Sequence, residues 1–417
     1  MEHADSSLGP DDLLVLEGLR SKGEAWIVGG WVRELISGGG ETDLDIATTL
    51  HPGEVKVLFP RSLMVGARFG TVAVRLEGES ASGKIWEVTT LRSDGSYGDG
   101  RRPDNVEFGT EITADLSRRD FTINAMALEF PYNEDSLIDP FNGREDLLGG
   151  ALVSVGDPRE RISEDGLRIL RAFRFMNGGK SGVRKMGDSL GDAISSSLGM
   201  LGMVSKERVC SELSIILSSE WTNEIVSKME ELGVLKAISG NLMEKSGCSM
   251  SSNLEVNLAL LCRKFGGDGS QLRQTLRKEL MLSNSILEEV GFLHDCKEES
   301  LETNSPYLRR FAVALPESRK KNILDYLGML GQDTVNFSKA LEEVSGPTYG
   351  ASPIVDGNDL SRETGLPPGP RLGMLKGWLY RRQVEDDLTT FDEVIGLLDN
   401  FNWENSEPTD WGKMEWP

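Results

Sequence analysis

The sequence predicts an α+β protein: a mixed β-sheet with helices over about the first 150 residues, then an all-α remainder. Three observations carry that prediction. Short apolar runs such as Trp26-Ile27-Val28 and Thr71-Val72-Ala73-Val74 fall before residue 130 and read as strands. From Arg161 onward apolar residues recur at helical spacing, clearest in Leu167, Ile169, Leu170 and Phe173. Residues 220–345 repeat Leu and Met in short segments divided by Gly/Ser turns, the pattern of a helical body.

The elements follow in order. Residues 1–10 are acidic and polar and predict a disordered N-terminus. Pro10 to Leu19 predicts a helix with Leu13, Leu14, Leu16 and Leu19 on its apolar side. Trp26-Ile27-Val28 is a buried strand that stops at Gly29-Gly30, and Trp31 to Ile36 begins a helix. Strands at 63–65, 68–74 and 84–89 come next, then a loop over 93–103 and the string Arg118-Arg119-Asp120-Phe121-Thr122-Ile123-Asn124-Ala125. Asp139 to Gly143 predicts a turn. A helix N-capped by Ser163 follows, with Glu164 and Asp165 in its first turn and Arg168, Arg171 and Arg174 filed along one side. Gly166 in that helix carries a propensity cost of roughly 1 kcal/mol. Residues 401–417, acidic and dotted with tryptophan, predict a loose end.

Composition sets limits. The net charge is −22, which argues against indiscriminate nucleic-acid binding but leaves room for a local basic track; acidity also suits a salty environment. Arg309-Arg310, Arg319-Lys320-Lys321 and Arg381-Arg382 are the candidate basic clusters. Apolar stretches stay below about eighteen residues, so no membrane span is predicted. Four cysteines without Cys-x-x-Cys spacing predict free thiols in a reducing cytoplasm.

The chemistry concentrates in the first third. A strand, two glycines and a helix start make a site for phosphate, because glycine admits close approach and the first helical N–H groups point outward. Asp43 and Asp45 flank Leu44 and share a face if extended, a spacing at which two carboxylates hold divalent ions. Glu87 is a candidate third carboxylate. Together these features suggest a nucleoside triphosphate held by glycines and metal.

The Gly-Gly turn followed by Asp-x-Asp resembles the nucleotidyltransferase signature. The Arg-Arg-Asp-Phe-Thr-x-Asn-Ala string, the Glu164-Asp165-x-x-Arg168 string and the Asp99-x-x-Arg102 loop resemble its class II branch, the tRNA CCA-adding enzymes and bacterial poly(A) polymerases. The resemblance implies a nucleotidyltransferase head at 11–150, an α-helical neck with the nucleotide-selecting helix at 151–215, a helical body at 216–345 and a tRNA-binding tail at 346–400. It implies catalysis through Asp43, Asp45 and Glu87 with Mg²⁺ on Asp43 and Asp45. Nucleotide binding falls to Gly29, Gly30, Arg33, Arg119, Asp120, Asp165, Arg168, Arg171 and Arg174, with Arg119 on the phosphates and Asp120 on the ribose hydroxyls. The implied partners are the tRNA 3′ end, ATP and CTP, and the chain would act as a monomer or homodimer. Glu207, Arg208 and Glu212 read as structural.

Base choice follows from donor and acceptor chemistry. A carboxylate only accepts and a guanidinium only donates, so an Asp165–Arg168 pair suits the amine-and-ring-nitrogen edge shared by cytosine and adenine. Guanine and uracil present the reverse. Poly(A) addition, split CC- or A-addition, and a catalytically inactive tRNA-binding protein are the competing readings.

Overall fold

The computed structural model describes residues 8–417 apart from 39–42, 68–69, 77–82, 94–106, 133 and 246, so the Asp99–Arg102 loop and most of the predicted disordered N-terminus lie outside the described residues. The chain forms two compact units, Met1–Asn241 and Leu242–Pro417.

The first unit is built on a seven-stranded mixed sheet. Its strands are β1 (Ala25–Val28), β2 (Asp45–Thr48), β3 (Leu63–Gly66), β4 (Thr71–Val74), β5 (Trp86–Thr90), β6 (Ala127–Leu128) and β7 (Leu137–Ile138), in the order β3-β4-β5-β2-β1-β6-β7. β1 is buried along its whole length, which is why it reads as an unbroken apolar run rather than an alternating one. β2 runs antiparallel to β1 and parallel to β5, with Val28 opposite Asp45 and Asp45 opposite Glu87. β5 alternates instead: Trp86 and Val88 are buried and Glu87 is exposed.

Helix α1 (Pro10–Arg20) buries Asp12, Val15, Leu16 and Leu19, whereas Leu14 of the predicted apolar side is 56 % exposed. The face is rotated because Asp12 accepts from Lys84 Nζ and Trp86 Nε1, both at 2.7 Å, and from the Gly9 amide at 2.9 Å. Burial alone would raise the Asp12 pKa; the bonds from Lys84, Trp86 and Gly9 bring it below the usual carboxylate value.

The predicted helix N-cap at Ser163 is corrected. Ser163 lies inside an earlier helix, Pro158–Glu164, and its hydroxyl donates to the Glu160 carbonyl at 2.7 Å. Asp157 caps that helix through the Arg159 amide. Asp165 is extended (φ −153°, ψ 109°) and separates it from the next helix, Leu167–Met176, whose Leu167 amide donates to Asp165 Oδ1 at 3.0 Å. Gly166 sits at this junction rather than inside a helix. A Cβ there would stand 2.4 Å from the Met200 carbonyl oxygen, so close backbone approach takes the place of the expected propensity cost. Helix Lys206–Leu217 packs along Leu167–Met176. Thr222–Glu231 and Val234–Ser239 complete the helices of this first unit.

The described residues of the second unit are helical and connecting. One of its cores gathers Val355, Leu360, Leu372, Leu375, Leu379, Val394 and Trp411. The loose end expected at 401–417 is also corrected. Trp411 and Trp416 are 5 % and 4 % exposed, and Trp416 packs edge-on against Phe311 and Tyr307 with ring centroids 5.0 and 6.0 Å apart. Large indoles bury enough apolar area to order an otherwise acidic segment. The candidate basic clusters are largely spent on carboxylates: Arg310 and Arg381 reach Glu385, Arg382 reaches Asp386, Arg319 reaches Glu289 and Lys320 reaches Glu317.

Candidate active site

A cavity of about 710 Å³ opens in the first unit between the β1 turn and helix Leu167–Met176. Six arginines line it (Arg33, Arg119, Arg168, Arg171, Arg174 and Arg208) against three carboxylates, Asp45, Asp120 and Asp165. Its volume lies in the range that encloses a small organic ligand, and the charge excess favours an anionic one.

At one end, Gly29 turns the chain out of β1 with φ +70°, and helix Gly30–Ser37 starts at once. A Cβ on Gly29 would lie 3.2 Å from Asp45 Oδ2 and 3.3 Å from Arg119 Nη1, so both the dihedral and the neighbours call for glycine. Gly30 lines the cavity beside it. Asp45 begins β2, with Glu87 beside it on the same face of the parallel pair and Asp43 two residues earlier. Burial, then the Glu87 charge, pushes the Asp45 pKa up to about 6; Arg119 opposes the shift and Asp43 adds to it.

Uncompensated negative charge among oxygen donors fits a hard divalent cation. Among the described residues, though, no three such side chains form a ready cage. Asp43 and Glu87 are exposed and do not line the cavity itself.

The middle is held by Asp120, buried beneath the arginines. Its Oδ1 accepts from the Phe121 amide at 2.9 Å and Asn124 Nδ2 at 3.0 Å, and its Oδ2 from Arg171 Nε at 2.6 Å. Burial would raise the Asp120 pKa, but Arg171, with Asn124, holds it below the ordinary value. Expected on the ribose, Asp120 thus already serves Arg171. Arg119 donates to the Asn124 carbonyl at 3.1 Å, and Arg33 to Asn124 Oδ1 at 2.7 Å.

At the other end Asp165 and Arg168, expected to face the base together, are each held by other residues of the fold. Asp165 instead receives Arg208 in a two-pronged contact, Nη1 to Oδ1 at 3.2 Å and Nη2 to Oδ2 at 2.6 Å. Arg168 donates to the carbonyls of Arg161 (3.0 Å) and Arg118 (2.7 Å) and pairs with Glu164. Both residues still line the same cavity.

Arg208, Asn124, Leu167, Phe175 and Asn177 are the lining residues that the sequence did not single out as functional. A signal for Arg208 existed: Arg208 and Glu212 stand four apart on one helix, beside the buried Val209, Leu213 and Ile216. Charges so close to an apolar stripe need partners within the fold. Glu212 finds Arg174 Nη1 at 3.2 Å.

A strand-turn-helix with carboxylates on the neighbouring strands and an arginine-lined cavity defines a nucleotidyltransferase, and the poly A polymerase head domain matches residues 25–153. The CCA-adding enzyme of Lactococcus lactis subsp. cremoris (strain SK11) is 31 % identical over 92 % of this chain and 94 % of its own length. That of Geobacillus kaustophilus is 34 % identical over 89 % and 91 %. The solved Bacillus stearothermophilus CCA-adding enzyme in complex with CTP superposes with a TM-score of 0.73 at 25 % identity, covering 94 % of this chain and 98 % of that one. The Thermotoga maritima CCA-adding enzyme complexed with tRNA shares the fold at 20 % identity and a TM-score of 0.66, covering 96 % of this chain and 97 % of that one. The chain belongs to the CCA-adding enzyme family.

Proposed function

We infer that this chain adds C, C and A to the 3′ end of tRNA from CTP and ATP, without a nucleic-acid template and with release of pyrophosphate. The observation that carries the reading is one cavity with carboxylates at Asp45, six arginines, and an acceptor–donor set at Asp165, Arg168 and Arg208. Relatives named for this activity align along nearly the whole chain.

Nucleotidyltransferases use a divalent cation, and in our reading it is Mg²⁺ on Asp45 and Asp43 with the nucleotide phosphates. There it would neutralise the triphosphate and lower the pKa of the attacking hydroxyl. Glu87 adds charge behind Asp45. Arg33, Arg119, Arg171 and Arg174 supply guanidinium donors to the phosphate oxygens, and Asp120 keeps Arg171 in place for them. Gly29 and Gly30 let the backbone approach the same group. Asp165 accepts from the exocyclic amine of cytosine or adenine, and Arg168 donates to the adjacent ring nitrogen. Uracil and guanine meet acceptor with acceptor and donor with donor. Arg208 fixes the direction in which Asp165 presents its oxygens.

We further propose a division into head (11–150), neck (151–215), body (216–345) and tail (346–400), the tail contacting tRNA, and a cytoplasmic location. The four cysteines are free and, among the described residues, no helix is long and apolar enough to cross a membrane.

The test is direct. Purified protein, Mg²⁺, a tRNA lacking its 3′ end and labelled CTP or ATP should yield products that sequencing reads as CCA. Long A tracts, C without A, or A only after a supplied CC would replace this reading with a poly(A) polymerase or a split activity.

A further inference from the structure

We propose that Phe175 is the positioning residue for the phosphate end of this cavity: its ring gathers Arg33, Arg171 and Arg174 into one cradle for the triphosphate of the incoming nucleotide. The proposal rests on the nucleotidyltransferase reading and adds to it a side chain that carries no charge.

The three guanidinium carbons stand 5.2, 5.2 and 4.5 Å from the Phe175 ring centroid, in the order Arg33, Arg171, Arg174. Two of these arginines share a helix with Phe175; Arg33 arrives from helix Gly30–Ser37, across the mouth of the cavity. Phe121 meets the Phe175 ring at 5.7 Å and 68°, which limits its freedom to swing. The ring lines the cavity and is 9 % exposed.

A guanidinium within about 6 Å of a phenyl centroid is attracted by the electron-rich face, and more strongly where water is excluded. Three cations around one ring also repel one another. Two carboxylates offset part of that repulsion from behind: Asp120 takes Arg171 Nε at 2.6 Å, and Glu212 takes Arg174 Nη1 at 3.2 Å. The balance is incomplete. Burial and then the Arg171 charge lower the Arg174 pKa, the sign of cations held together in the absence of enough anion. Among the described residues Arg174 donates through Nη1 alone, which leaves Nε and Nη2 for phosphate oxygens. Without an aromatic ring between them, long arginine side chains would separate to relieve repulsion, and the cradle would have to be rebuilt at each binding event.

The test compares wild type with Phe175→Leu and Phe175→Tyr. Leucine keeps an apolar side chain without the ring face; tyrosine keeps the face. Dissociation constants for CTP, inorganic tripolyphosphate and cytidine are measured by calorimetry, with steady-state KM and kcat for CTP on a tRNA lacking its 3′ end and the melting temperature of each protein. We expect Phe175→Leu to weaken CTP and tripolyphosphate by about tenfold each, as loss of a desolvated cation–π set implies. Cytidine affinity should hold, KM should rise by a larger factor than kcat falls, and tyrosine should restore all of these. Equal tripolyphosphate binding by wild type and the leucine variant would overturn the cradle. So would equal weakening of CTP and cytidine, or a tyrosine variant no better than leucine, each of which marks Phe175 as ordinary packing. A wild type that binds tripolyphosphate in a Phe175-dependent way yet never extends tRNA would leave the cradle standing and overturn the polymerase reading instead.

Discussion

On the proposed reading, replacing Asp165 by alanine should shift base choice by about two orders of magnitude, and the effect has two halves. The first is loss of the acceptor for the exocyclic amine of C or A. A hydrogen bond to a charged group contributes about 1.5–3 kcal/mol. The Asp165 side chain is 23 % exposed, so the low end applies, and about 1.5 kcal/mol is roughly tenfold in kcat/KM. The second half is removal of the clash between a carboxylate and the carbonyl of U or G, of similar size and opposite sign for those substrates. The CTP-to-UTP ratio of kcat/KM should therefore fall about a hundredfold. The same substitution strips the Leu167 amide of its cap, at about 1 kcal/mol, and leaves Arg208 without its carboxylate. Asp165→Asn controls for this, since its amide oxygen can still accept from Leu167 while its amide nitrogen now donates to a uracil carbonyl. The assay is single-nucleotide extension with CTP, ATP, UTP and GTP on a tRNA lacking its 3′ end. An unchanged CTP-to-UTP ratio in the alanine variant would refute the assignment, and selection would then lie in Arg168, Arg208 or the RNA end.

Asp45→Asn should abolish nucleotide transfer while tRNA binding, read by filter retention, persists; normal turnover would remove Asp45 from the metal set. Gly166→Ala should lower rather than raise the melting temperature, because overpacking against the Met200 carbonyl costs about 1–3 kcal/mol and outweighs any helix-propensity gain. A melting point equal to or above wild type would contradict it. Asp12→Asn should cost about 1 kcal/mol at neutral pH through the lost Lys84 pair. Since the folded Asp12 pKa is depressed, that difference should be full above the unfolded value near ~3.9 and fade as pH falls through the folded one. Denaturant titrations across pH 7 to 3 check it, and a gap that widens on acidification would contradict the sign.

The parts of the site that local pattern could reveal were those made by consecutive residues. β1, the Gly29 turn and Asp45 follow one another within a short stretch, and each depends on local dihedrals or strand alternation. Helix Leu167–Met176 is harder to read. Two helices abut at Asp165, and a periodic apolar pattern runs through the break, so Ser163 looked like a cap when it was interior. Arg208 reads as scaffold in the sequence because its partner is 43 residues away, and no short-range spacing records such a pair. The basic clusters are hard to judge for the same reason: Arg309 donates to the carbonyl of Glu385, 76 residues on, and local spacing does not record which positive side chains the fold engages. Asp120 shows a related limit. Its identity suggested a ligand contact, but burial without water obliges a carboxylate to find internal donors first.

The placement of Trp416 bears on how the polypeptide tolerates trimming. An acidic stretch beyond residue 400 invites removal as a ragged extremity, yet this indole plugs a socket formed by Tyr307 and Phe311, and Phe337 stacks edge-on behind them. Ending translation after Glu415 would leave a hole in that aromatic cluster, a loss of about 3–5 kcal/mol for an interior tryptophan. Loss of this one indole should therefore cost more than loss of the acidic residues around it.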